Sequence, residues 1–146
     1  MISENKMKHS IEVARECREI ARQLKKSEYV QDACFIMGFL HDVGYEKVDE
    51  NNITEHPEKG YEMLLSFNAS SLLYIDVIKN HGTKYTGLNV FDYVLNKADL
   101  TINYLGDKVS EEERLEGIKQ RYGEDSSHYN NALKMYQAVK DYEATL

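Results

Sequence analysis

Apolar residues recur along most of this chain at steps of three and four, and no segment sustains the step of two that a half-buried strand requires. Residues 3–26 read as one helix. Met7, Ile11, Ala14, Cys17, Ala21 and Leu24 form its stripe, widened by Val13 and Ile20, while Glu12, Arg15, Glu16, Glu19, Arg22 and Lys26 make a solvated opposite face. Residues 28–42 form the second helix, with Val30, Ala33, Cys34, Met37, Leu40 and His41 on one face and Phe35, Ile36 and Phe39 covering more of the circumference. A helix apolar nearly all round is expected at the centre of a bundle. Gly38 lies inside it at a cost in helix propensity, which points to a close helix contact.

The pattern then breaks into a loop over 43–55, with turn residues at 49–52. His56-Pro57 opens a third helix to about residue 67, Pro being favoured at the first helical position, with Tyr61, Leu64 and Leu65 inward. A serine-capped helix is expected from residue 70 or 71 to about 80, burying Leu72, Leu73, Ile75 and Ile78. After a loop over 82–89, the next helix runs from about 90 to 104 on Phe91, Val94, Leu95 and Ala98. A capping box at 110–113 starts a helix that Gly123 ends. The last helix, near 126–144, carries Tyr129, Ala132, Leu133, Tyr136, Val139 and Tyr142. Such a tyrosine-rich stripe suits core or a subunit interface, so a homodimer is among the expectations. The fold class expected is all-α, a compact bundle of six or seven helices.

Length and composition add limits. At 146 residues the chain fits one domain, with a core that needs no staples. One Pro and eight Gly leave it little punctuated, which favours long helices. The net charge of −7 argues against nucleic acid as a partner but leaves room for a small anionic substrate, because bound metal ions reverse the sign locally. Cys17 and Cys34 both fall on apolar helical faces and read as reduced core thiols. The N-terminus shows no apolar signal core, and no apolar run reaches the length of a membrane span, so no membrane association and a cytoplasmic location are expected.

The chemistry concentrates at residues 35–45, where an apolar run ends in His41-Asp42 and Gly44 is expected to break the helix through its freedom at positive φ. An imidazole and a carboxylate at the end of a buried helix are costly unpaired, and a metal ion would satisfy both. The pair alone fits equally well a helix-terminal His and an Asp starting a turn. The rest of the chain adds His9, His56 before Pro57, His81 before Gly82, and Asp99 in Lys-Ala-Asp-Leu. His128 fits no such position and reads as structural.

The order His, His-Asp, His, His, Asp resembles the HD superfamily of metal-dependent phosphohydrolases. So does the wording: His-Ser-Ile-Glu-Val-Ala at 9–14, Gly-Phe-Leu-His-Asp-Val-Gly at 38–44, His-Pro-Glu-Lys-Gly at 56–60 and Ala-Asp-Leu at 98–100. The resemblance spans residues 9 to about 104 and leaves the helices at 110–146 without a motif. It implies an HD-domain-like fold over 1–146. It also implies one ion on His9, His41, Asp42 and Asp99, and a second on His56 and His81, with Asp42 bridging as the central catalytic residue. Donors of this kind suit Fe, Mn, Co or Ni. Two such ions can activate a water without a separate nucleophile, in keeping with the lack of a Gly-x-Ser-x-Gly or P-loop motif. The implied reaction is hydrolysis of a phosphate ester or anhydride, in a nucleotide. The nearest subgroup is similar to the diadenosine tetraphosphate hydrolases, although Tyr45 stands where that family often has Lys. Lys84, three residues beyond His81, and Tyr45 are the substrate-binding candidates. A di-iron oxygenase and a noncatalytic metal-binding module are the alternatives.

Overall fold

A computed structural model describes residues 2–67 and 74–146. Its helices are α1 (Glu4–Gln23), α2 (Glu28–Leu40), α3 (His56–Ser66), α4 (Ile75–Asn80), α5 (Val90–Asp99), α6 (Glu111–Tyr122) and α7 (Ser127–Glu143). Two short 3-10 helices, Val43–Lys47 and Ile53–Glu55, replace the plain loop expected between α2 and α3. The described residues contain no strand, only an isolated bridge between Ile102 and Lys108. The chain is all-α, as its periodicity requires. No helix among the described residues is long and apolar enough to cross a membrane. The start of the helix expected from residue 70 or 71, with its serine cap and Leu72 and Leu73, lies outside the described residues.

Local chemistry sets most helix starts. Ser3, Ser27, Ser110 and Ser126 each accept a hydrogen bond from a backbone N–H in the first turn of α1, α2, α6 and α7. Asn89 and Asp92 form a full capping box on α5. The sequence reading placed such a box at 110–113, where only the Ser110 half is seen.

The bundle is built around α5, not α2. Helix α5 packs against α1, α2, α4 and α7, and buries Tyr93, Val94, Leu95, Asn96 and Ala98. Fully burying a Val or Leu side chain is worth about 1.5–3 kcal/mol, so this one helix anchors much of the core. Helix α2 buries only Cys34, Met37 and Gly38, and leaves Tyr29, Ile36 and Phe39 exposed. The circumferential apolar pattern therefore misplaced it. Gly38 does mark a close contact: a Cβ there would lie 2.8 Å from Ala14 Cα and 2.9 Å from Cys17 Sγ on α1. Both cysteines are free and buried. In α7 the buried face is Met135, Ala138 and Val139, while Leu133 is exposed.

Helix α5 stops at Asp99, five residues before its expected end. Thr101 turns its hydroxyl back onto the Ala98 carbonyl, at 3.0 Å. The Asn103 side chain then accepts from the N–H groups of Leu105 and Asp107, both at 2.9 Å, closing a turn through Gly106 at φ +83°. This early stop places Asp99 at a helix end and turns the Asn103 carbonyl toward α1. Lys97 and Lys140 with Glu111 and Glu143 tie α5, α6 and α7 together.

Candidate metal centre

All six residues singled out by the motif meet at one place, and five of them sit at or beside a helix end. His41 and His81 cap α2 and α4, Asp42 follows α2, His56 opens α3, and Asp99 closes α5. His9 comes from the second turn of α1. Their ligand atoms form two overlapping groups, His9, His41 and Asp99, and His41, Asp42 and His81, each within 4.8 Å.

His41 belongs to both groups, and Asp42 faces two pairs of histidines. Its Oδ2 lies 3.3 Å from His41 Nε2 and 3.7 Å from His9 Nε2. Its Oδ1 lies 3.2 Å from His56 Nε2 and 3.4 Å from His81 Nε2. Asp99 Oδ1 approaches His9 Nε2 at 3.0 Å and His41 Nε2 at 3.6 Å.

The other ring nitrogens decide what this cluster can bind. His9 Nδ1 donates to the Asn103 carbonyl at 2.8 Å, and His41 Nδ1 to Gly38 at 2.6 Å. His56 Nδ1 donates to Ile53 at 2.9 Å, and His81 Nδ1 to Ile78 at 2.6 Å. A carbonyl oxygen only accepts, so each Nδ1 carries a proton and every ring turns its Nε2 inward, where the neutral form offers a lone pair to a metal. Four Nε2 atoms face two carboxylates, and with neutral rings every one of these atoms is an acceptor. His56 and His81 bring their Nε2 atoms to 3.1 Å, and the buried Nε2 of His41 has no hydrogen-bond partner. An all-acceptor cluster of imidazole and carboxylate is what a divalent transition metal fits.

Without a metal ion, the carboxylates draw a proton onto His41 and are themselves held ionised. Burial works against the charge on Asp42, but His41, His56 and His81 outweigh it and hold the carboxyl well below its ordinary range. Asp99 is held down in the same way, against burial, by His41 and His9. His41 is raised well above its ordinary value by the same two carboxylates, again against burial. His81 is lowered by burial and by its histidine neighbours.

Gly44 has a different role from the one its position suggests. It is not at positive φ. A Cβ there would overlap the His56 carbonyl and lie 2.5 Å from Gly60 N, so Gly44 lets the segment after Asp42 lie directly on α3 and set His56 against it. Asn96, buried on α5, accepts from Gly82 N–H at 2.8 Å and pins the turn after His81.

The centre opens into two lobes that share Asp42, Tyr45, Arg114 and His128. One lobe is walled by His56, His81, Asn96 and Asn131. The other is walled by Lys6, Arg121, Tyr104 and Tyr122. Tyr45 stacks on His56, ring centroids 4.1 Å apart, and burial raises its hydroxyl pKa far above the ordinary value. Lys84 does not line either lobe. Its Nζ is held 2.8 Å from buried Asp92 Oδ2. Gly82, at φ +75°, turns the chain away after His81, so nearness in sequence did not carry Lys84 to the site. Lys6, Arg114, Arg121 and His128 do line it and were not singled out as site residues. Only the charge of the first three could have marked them, because they reach the site through tertiary packing.

A family model for the HD domain matches residues 7–133. No curated protein and no solved structure gives a significant match.

Proposed function

The chain belongs to the HD-domain family, and from that premise we propose that it is a metal-dependent phosphohydrolase acting on a phosphate ester or anhydride of a nucleotide, in the cytoplasm. The observation that carries the reading is the convergence of four Nε2 atoms and two carboxylates, with each Nδ1 committed to a backbone carbonyl, so that neutral rings present only acceptors. His9, His41, Asp42 and Asp99 would hold one divalent ion, and Asp42, His56 and His81 a second. Asp42 supports two ions because each of its oxygens faces a different pair of histidines. Fe, Mn, Co or Ni fit these donors. Bound there, such ions supply Lewis acidity toward a phosphoryl oxygen and make a water acidic enough to act near neutral pH.

The chain's own groups do the rest. The four backbone carbonyls lock the rings in the tautomer that presents Nε2. Arg114 is fixed by its Nε–H bond to the Asp99 carbonyl at 3.1 Å, with its guanidinium at the junction of the lobes, where it can orient an anionic group. Tyr45 covers His56 and bounds both lobes. The test is a nucleotide panel, including a dinucleoside tetraphosphate, offered to Mn- or Co-loaded protein without oxygen. Release of phosphate or a nucleotide product is expected. Turnover that needs iron and dioxygen, with no phosphoryl product, would favour the oxygenase.

A further inference from the structure

The second lobe carries a charge opposite to that of the whole chain. Lys6, Arg114 and Arg121 converge on it, in a protein of net charge −7. Two of these cations rest on aromatic faces. Lys6 Nζ lies 3.4 Å from the centre of the Tyr45 ring. The Arg121 guanidinium lies 4.0 Å from the centre of Tyr104 and 5.0 Å from that of Tyr122. Among the described residues, neither has a carboxylate within 4.0 Å. Lys84, Lys97, Lys108 and Lys140 each have one. An aromatic face steadies a cation without occupying its N–H donors. Arg121 Nη2 also donates to the Tyr122 hydroxyl at 3.2 Å, which leaves its other N–H groups and the Lys6 ammonium for an anion.

His128 supplies an independent observation. Its ring stacks on Tyr122 at 4.0 Å and 6°, and its Nε2 is buried without a hydrogen-bond partner at the wall between the lobes. A buried polar atom left unpaired in this way is open to a ligand or a water.

We propose that Lys6, Arg114, Arg121 and His128 form a binding site for a second phosphoryl group, so that the substrate is a phosphoanhydride or bisphosphate and not a simple monoester. This rests on the phosphohydrolase reading above. Arg114, beside both Asp99 and the lobe, stands between the phosphoryl group at the metal ligands and the one in the lobe. A terminal phosphoryl group carries close to two negative charges near pH 7 on three acceptor oxygens, enough to engage several cations at once. Three of the four residues come from α6 and α7, so the part of the chain without motif residues would set substrate class.

Calorimetric titration of metal-loaded protein with methylenediphosphonate and with methylphosphonate tests this. Wild type should bind the two-phosphorus anion at least about tenfold more tightly. Arg121→Gln and Lys6→Gln should each weaken methylenediphosphonate about tenfold and leave methylphosphonate unchanged. Equal affinity for the two anions, no binding of either, or variants that weaken both alike or neither would overturn the assignment. Metal content measured on the same samples, before and after titration, separates this failure from a failure of the metal reading. Circular dichroism melts of both variants confirm that each is folded.

Discussion

Two charged clusters are packed into this bundle, and they are satisfied in opposite ways. In the first, Lys97 Nζ lies 2.6 Å from Glu111 and 2.7 Å from Glu143, and Lys140 Nζ lies 2.9 Å from Glu111. Cations meet anions, Glu111 Oε2 alone being buried without a hydrogen-bond partner, and the product is a joint between α5, α6 and α7. In the second, the histidines turn four Nε2 atoms onto two carboxylates. That cluster calls for positive charge, which a proton on His41 supplies in part and a divalent metal would supply to every ring at once. The difference shows how a structural ion network and a site awaiting a ligand can be told apart from hydrogen-bond polarity alone.

The sharpest way to break the contrast is Asp42→Ala. It removes the one residue that faces both pairs of histidines. Metal retention should vanish and activity fall at least about a thousandfold, with the helical fold kept, as read by metal analysis, turnover and circular dichroism. Glu111→Gln attacks the other cluster. Leaving Lys97 and Lys140 underpaired should cost about 3 kcal/mol in stability, measured by denaturant unfolding, with metal content unchanged.

The pH dependence separates the clusters next. In metal-free protein His41 is raised above its ordinary value by Asp42 and Asp99. Its contribution is present below about pH 6.5 and is lost as pH rises through the raised value. Asp42 and Asp99 are depressed, so theirs is present above the ordinary carboxylate range and lost in acid. Metal-free protein should therefore be most stable between those limits, with a stability decline of about 1–2 kcal/mol above pH 6.5 that added metal abolishes. Lys97 is raised by Glu111 and Glu143 against burial, and Glu143 is lowered by Lys97, also against burial. That cluster should contribute evenly across the same window. A pH series of thermal melts with and without metal reads both.

The smallest effect belongs to Lys84→Ala. Because Lys84 holds Asp92 outside both lobes, the substitution should cost about 1 kcal/mol of stability and leave KM within about twofold of wild type.

The extent to which the sequence revealed these features follows from their physics. Helical periodicity and serine caps are local, and they located all seven helices to within a few residues, apart from the early end of α5 and the undescribed start of the fourth. That early end depends on Thr101 and Asn103 side chains competing for backbone groups, which periodicity does not register. The six motif residues were legible as residue types in a set order, and the fold brings them together. The Nδ1 bonds that orient three of the rings are also local, each reaching the carbonyl three residues back. His9 is the exception, because its carbonyl partner Asn103 is 94 residues away. Lys84 stands outside both lobes because proximity in sequence says nothing about the turn at Gly82. Lys6, Arg121 and His128 stayed hidden because nothing in their own segments marks them. The exposed apolar face of α2 shows the limit of composition, since hydrophobicity all round does not say which face meets the core.

Metal stoichiometry tests the central claim most directly. Protein saturated with Mn or Co, freed of excess by gel filtration and analysed by plasma mass spectrometry, should carry two equivalents. A single equivalent would leave His56 and His81 without an ion, and saturated protein that retains none would contradict the account.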